Sequence, residues 1–349
     1  MSLCKKCPAY SRCGGLVVNG EEDLFGCMHR CQNCHEHNVD CPFACPNNPQ
    51  RFVRLVYEVG VLDYRPQTQI NGPTVVGFPF FAPQIYHASR RFKPLVTDAV
   101  TIGIADLLAR TKGRKVHDAF CLDPETRVIG LGVAKDHELE KWWGDRNGVV
   151  EQLSSMGLDA VTVPNFSIFS NAPMQQSLLS IARLHHFSEA LSAAGIATVP
   201  HIYAETDVHW ERWAEVLKEQ PKVTMIAMEF QTGLRIKEKA LPYIQRLVDL
   251  QERIGRSLHL IAVGGTQHRT DLRTAFRDRL TLTDATSFMK TFRRIKADGP
   301  DGDVRFPMER GDDLAELLQI NITAREKRLR KGVPVPGPGR ETLGSRIAA

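Results

Sequence analysis

Eight of the nine cysteines in this 349-residue chain stand within its first 45 positions. They are Cys4, Cys7, Cys13, Cys27, Cys31, Cys34, Cys41 and Cys45, and only Cys121 follows them. Thiols at that density either cross-link or hold metal. The start, MSLCKKCPAYSRC, has no apolar leader core, and no run of about 18 apolar residues occurs that would make a membrane-spanning helix. A cytoplasmic location with reduced thiols is therefore the expectation. There, clustered cysteines bind metal more often than they cross-link. Soft thiolate ligands suit zinc or iron–sulfur clusters, so residues 1–50 read as a metal-binding module.

Two spacings favour iron. Cys31-x2-Cys34-x6-Cys41-x3-Cys45-Pro46 ends in the C-x3-C-P of ferredoxin motifs, with a longer middle gap. Cys4-x2-Cys7-x5-Cys13, joined by Cys27, supplies four further ligands. Two [4Fe–4S] clusters, one cluster with a zinc, or two zincs all remain open, because ferredoxin-type ligands cross between clusters. His29, His35 and His37 are alternative zinc ligands, and a zinc ribbon that staples the N-terminus is the purely structural reading. Cys27-x3-Cys31-x2-Cys34 also resembles the C-x3-C-x2-C triad of radical S-adenosylmethionine (SAM) enzymes. That resemblance implies a cluster with one iron open to SAM. Here, however, Gln32 and Asn33 precede the last cysteine where that family usually has an aromatic residue.

The elements that would position further chemistry begin at Thr74. Short apolar runs (TVVGFPFF, TRVIGLGV, DAVTVPNF, ATVPHIYA, VTMIAMEF, LHLIAVGG and DRLTLTD) alternate with helical periodicity over 137–156, 173–194, 207–219 and 236–255. Strand then helix, repeated about seven times, is the pattern of a parallel α/β fold. The roughly 225-residue span favours a (β/α)8 TIM-like barrel over 74–300. Residues 51–73 read as a connector with one strand, RFVRLVYEV. Gly, Pro and Asp interrupt the pattern at 297–312. The remainder of 301–349 reads as a helix over 313–331 and a basic Pro/Gly-rich tail, whose basic run is expected as a solvated helix end, with contact to nucleic-acid phosphates as the alternative. With 42% hydrophobic residues, a core of this size does not depend on disulfides. No G-x-G-x-x-G or G-x4-G-K-[ST] opens a helix, so a dinucleotide or P-loop site is unsupported.

In a barrel the residues just past each strand's C-terminal end converge. That rule gathers Lys135 and Asp136, Asn165, the trio His201, Tyr203 and Glu205, then Glu229 and Gln231. It also gathers Gly264, Gly265, Gln267 and His268, and finally Asp284. Paired glycines past a strand let the backbone approach a planar ligand closely. The bland account of any one of these residues is a turn or loop cap.

Residues 159–296 resemble the tRNA-guanine transglycosylase-like barrels, closest to the branch that inserts deazaguanine bases into DNA. The resemblance rests on VPNFSIFSNAPMQQSLLSIARLHHFSEALSAAGIATVPHIYAE, on LHLIAVGGTQ and on LTLTDATSFMKTFRRI. It implies base exchange through a covalent aspartyl-nucleotide, with Asp284 as nucleophile. It also implies base reading near Gly264, Gly265 and Gln267, with Gln231 and Asn165 as further contacts, and the strand-end rule adds Glu229 and His201 as substrate-binding positions. The family's Asp-Ser-Gly-Gly-Phe motif is missing, and Asp136 in GVAKDHE is the nearest acid to take its place. The family's late zinc cysteines are missing too. The partners implied are a nucleic acid, DNA or RNA, and a purine-like or deazaguanine base. The net charge of +5 permits such a partner without demanding one, and self-association into a homo-oligomer is left open. The competing readings are a radical-SAM or redox enzyme built on Cys27, Cys31 and Cys34, and a nucleic-acid-binding barrel without catalysis. Among the other side chains, Cys121 is expected as a buried small residue, and Trp210 as either packing or a stacking surface for a base.

Overall fold

The computed structural model describes residues 49–61, 64–73, 78–168, 174–298, 302–307 and 311–332. The eight-cysteine segment and its expected metal module lie outside these residues, as does the Pro/Gly-rich tail. The described chain is mixed α/β with eleven helices and two parallel sheets. The first sheet runs β1 (Ala99–Gly103), β2 (Arg127–Leu131), β3 (Ala160–Thr162) and β4 (Thr198–Val199), with Ala99 opposite Arg127, Ile129 opposite Ala160, and Val161 opposite Thr198. The second runs β5 (Met225–Glu229), β6 (His259–Val263) and β7 (Leu280–Thr283), with Met225 opposite His259 and Leu260 opposite Leu280.

The edges of both sheets are engaged. Past β4, the Ala227 N–H donates to the Pro200 carbonyl (2.9 Å) and the Ile202 N–H to the Ala227 carbonyl (2.8 Å). The extended segment 80–85 pairs on both its sides. Ala82 and Gln84 donate to the carbonyls of Leu282 (3.0 Å) and Asp284 (2.9 Å), while Ile85 donates to Thr101 (3.0 Å).

Helices fill the connections. After α1 (Pro49–Val59), β1 is followed by α2 (Ile104–Thr111) and α3 (Val116–Phe120), and β2 by α4 (Asp136–Gly144) and α5 (Arg146–Ser155). Then α6 (Met174–Ala193), α7 (Asp207–Glu219), α8 (Lys237–Ile254), α9 (Arg269–Phe276) and α10 (Thr286–Phe292) follow β3 to β7 in turn. Alternation along the strands divides the core. Ala99, Ile129, Ala160, Val199, Ala227 and Ile261 form one buried cluster. Their neighbours Val100, Val128, Val161, Ile226, Leu260 and Leu282 join a larger one with helix residues such as Leu107, Leu184, Leu217 and Leu247. Full burial of each large aliphatic side chain contributes about 1.5–3 kcal/mol.

Several expectations need correction. The segment RFVRLVYEV is not a strand but lies in α1. In a strand Val53, Leu55, Tyr57 and Val59 would share one face. Instead Leu55 and Val59 are buried, while Val53 is 63% and Tyr57 88% exposed, which is the helical period. An Arg54–Glu58 ion pair (3.3 Å) supports the helix from outside, and Glu58 accepts the Trp143 indole N–H (3.0 Å). The strand AVTIG (β1) was not among the expected runs, because it enters α2 with no polar break to mark its end. The single helix over 137–156 is two, divided at Asp145, which has left the helical conformation (φ −118°, ψ 38°). Cys121 is only partly buried and closes α3 with φ +48°.

After β7, α10 leads into an antiparallel hairpin of β8 (Ile295–Asp298) and β9 (Gly302–Arg305), and α11 (Ala315–Arg330) packs back over it. The buried Asn321 on α11 ties this unit together. Its Oδ1 accepts the Ala297 N–H (2.7 Å), and its Nδ2 donates to the Ile295 carbonyl (2.8 Å) and Thr291 Oγ1 (2.9 Å). Asn321→Ala strands a backbone donor and a backbone acceptor, each worth about 1–3 kcal/mol when left unpaired in the interior. The expected loss is about 2–4 kcal/mol, to be read from the urea midpoint of unfolding.

Candidate functional site

Parallel pairing brings the C-terminal ends of neighbouring strands to a common edge, and β7 delivers Asp284 there. Its backbone carbonyl is held by Gln84 (2.9 Å). Its Oδ1 accepts the Thr286 N–H (2.9 Å) at the opening of α10. Its Oδ2 accepts both Nε (3.0 Å) and Nη2 of Arg325, from the third turn of α11, and the same Nη2 also reaches Thr266 Oγ1 (3.1 Å). With side chains 13% and 21% exposed, the pair is well screened from water, where a charge-assisted contact counts for more than at the surface.

Tyr86, just past segment 80–85, senses two acids. Burial first, then the charges of Asp106 and Asp284, push its hydroxyl pKa up. Asp106 lies in the first turn of α2, and burial raises its carboxyl above the ordinary range. Its ion pair with Arg110 (3.3 Å) only partly offsets that rise.

A second group lies at the ends of β3, β4 and β5. Asn165 donates through Nδ2 to Glu229 (2.9 Å), while its buried Oδ1 has no partner among the described residues. Burial raises the Glu229 carboxyl. Glu205 accepts the Tyr243 hydroxyl (3.0 Å), and its carboxyl is also raised by burial. The Tyr203 hydroxyl is pushed up by burial and by Glu205, Glu229 and Asp136 in turn. A cavity of about 310 Å³ opens among these residues. Asp136 itself is exposed and accepts the Ser167 hydroxyl (2.7 Å). Among the described residues no hydrogen bond or ion pair joins it to Asp284.

The remaining expected residues fall around these two groups. Gly264 has φ +74°, and a Cβ there would lie 2.2 Å from Cγ of Gln231. A Cβ on Gly265 would lie 3.0 Å from Leu272 and 3.1 Å from Ala262. The bare backbone at both positions therefore receives neighbours from this chain. Gln267 donates to the Phe230 carbonyl (3.1 Å), and His268 bonds the Leu234 carbonyl (2.7 Å). Trp210 is buried, with its ring 6.3 Å from Tyr243 in an edge contact. His185 is buried against Trp213 (5.0 Å), whereas His186 stacks on Tyr64 (3.8 Å), so the two do not share a site. Among the described residues no group of three or more His, Cys, Asp or Glu is arranged to hold a metal.

Three residues at this edge are absent from the sequence-based set: Arg325, Asp106 and Tyr86. Arg325 is hidden in the basic run AREKRLR, where nothing in the spacing separates it from its solvated neighbours. Asp106 went unseen because the strand before it did. A polar residue within one helical turn of each strand end would have found it.

His201 stands apart. It is fully buried, neither ring nitrogen has a partner among the described residues, and burial alone lowers its pKa to about 3. The unfolded chain therefore binds a proton that the folded chain refuses between pH 3 and the ordinary value of 6.5. This contribution to stability is complete above pH 6.5 and is lost as pH falls toward 3. His201→Leu should flatten the acid-side slope of unfolding free energy by up to about 1.4 kcal/mol per pH unit. Urea titrations at pH 4.5, 5.5 and 7 would measure it, with His185, His209 and His259, similarly lowered, contributing slope of the same sign. No protein-family model and no curated protein matches the chain, so its residues alone carry the functional argument.

Proposed function

We propose that the chain is a (β/α)8-barrel enzyme that exchanges a purine-like base in a nucleic acid through a covalent bond between Asp284 and the sugar. The barrel is supported by the hydrogen bonds that link the two sheets, at Pro200–Ala227 on one side and through segment 80–85 on the other. It is supported as well by a separate buried cluster drawn from alternate residues of six strands and of segment 78–82. In such a barrel, chemistry belongs at the C-terminal mouth.

The observation that carries the reaction is the Asp284 carboxylate at the end of β7, held on one oxygen by a backbone N–H and on the other by Arg325. A carboxylate nucleophile splits one hard displacement into two easier ones. One Asp284 oxygen attacks the anomeric carbon as the bond to the base breaks, and the base leaves with the electron pair. Asp106, whose half-buried carboxyl is raised, suits the role of acid that protonates it, better than the exposed Asp136. The incoming base returns its proton to Asp106, attacks the same carbon and expels Asp284. Arg325 aims the nucleophile and receives it back.

Glu229 and Asn165 are the base-reading pair in this proposal, since Asn165 Oδ1, without a partner among the described residues, can accept an N–H. Gln231, Gly264, Gly265 and Gln267 form the adjoining wall. The base must leave its stack to reach them. The iron–sulfur or zinc module proposed for residues 4–45 enters no step.

The test is incorporation of labelled guanine into DNA and into RNA duplexes, with trapping of a covalent protein–nucleic acid adduct on a denaturing gel. Asp284→Asn should lower exchange by about three orders of magnitude or more and abolish the adduct while leaving the circular dichroism spectrum unchanged. Full activity in that variant would overturn the assignment. Arg325→Met should lower kcat by roughly 10- to 100-fold with little change in KM, as for a residue that acts on the reacting carboxylate rather than on binding.

A further inference from the structure

We propose that the cavity between the ends of β4 and β5 and the start of α8 is a binding site for a small organic cation, an amidinium or ammonium group on an apolar body. This goes beyond base exchange, because the cavity's own side chains define the ligand. It is bounded by Tyr203 and Glu205 from the end of β4, by Met228 and Glu229 from β5, and by Tyr243 from α8, with Leu234 completing an apolar wall. At about 310 Å³ it lies at the small end of ligand sites, which run from about 300 Å³ upward.

The polar groups point to the sign of the ligand. Glu205 uses Oε2 for Tyr243, and Glu229 uses Oε2 for Asn165. Their Oε1 atoms have no hydrogen-bond partner among the described residues, and neither carboxylate has an ion pair there. Both carboxyls are raised by burial, which means that each carries a desolvation cost a cation would relieve. The phenol rings of Tyr203 and Tyr243 add faces that attract a cation further. Lys239 also lines the cavity and is the one basic residue there among the described residues; two carboxylates outnumber it. An anion would meet both acids, and a neutral ligand would leave their free oxygens without a charged partner.

The probe is benzamidine, with benzamide as its neutral isostere, titrated calorimetrically into the full-length protein without nucleic acid. Benzamidine should bind saturably and benzamide at least about tenfold more weakly, the loss expected for one charge-assisted hydrogen bond. Glu205→Gln should weaken benzamidine by a similar factor, and Lys239→Ala should tighten it. Tyr203→Leu should weaken it roughly three- to tenfold, which keeps the test decisive if Glu205→Gln lowers the melting temperature. Equal binding of the two probes, no saturable benzamidine binding at millimolar concentration, or an unchanged affinity in Glu205→Gln would each overturn the proposal. Glu229 is shared with the proposed base-reading pair, but Asp284→Asn should bind benzamidine as the wild type does, so failure of the exchange reaction and failure of cation binding are told apart by affinity measured without nucleic acid.

Discussion

A parallel sheet leaves a row of backbone donors and acceptors along each edge, and those rows must be paired or covered. In this chain the pairing is supplied by segments too short or too irregular to read as strands. Residues 200–202 meet Ala227, and segment 80–85 threads between β7 and β1. The second of these contacts sets much of the chemistry at the sheet edge. The Gln84 N–H holds the Asp284 carbonyl, Thr101 and Thr283 share a buried hydroxyl contact (2.6 Å) across the same segment, and Tyr86 follows directly. One stretch of backbone pairing thus brings the end of β7, the start of α2 and an aromatic hydroxyl into one electrostatic neighbourhood.

Carboxylates along the strand ends are treated in opposite ways. Asp284 is met by a guanidinium and a backbone N–H, which fix its orientation. Glu205, Glu229 and Asp106 are partly desolvated with less compensation, and their carboxyls rise accordingly. Groups with divergent environments in one region are the usual arrangement for dividing acid, base and nucleophile roles. The grip of two Arg325 nitrogens on Asp284 Oδ2 also makes α11 part of this edge. Asn321, one turn earlier, anchors that helix to β8 and α10, so the stability of the C-terminal unit and the placement of Arg325 are linked.

The alternation of strand and helix was legible from apolar runs alone at β2, β3, β5, β6 and β7. It failed where local signals were ambiguous. AVTIG runs into a helix without punctuation, and RFVRLVYEV carries apolar residues at a spacing that fits two periods. There the packing of Leu55 and Val59 under α6 decided for the helix. The glycine pair after β6 was read as room for a ligand, and the room is taken up by Gln231 and Leu272. Backbone freedom is visible in a sequence, but what fills it is not.

By itself the sequence determined the α/β class, the residues that end most strands, and the cysteine cluster that precedes them, because hydrophobic period and cysteine spacing are local properties. Only the tertiary structure decided which of those strand-end residues meet. It paired Asn165 with Glu229 across 64 positions and Asp284 with Arg325 across 41. It left Asp136 in solvent and brought Asp106 beside Tyr86 in its place. Such pairings depend on strand register and on how a late helix folds back over the sheet, and no local pattern encodes either.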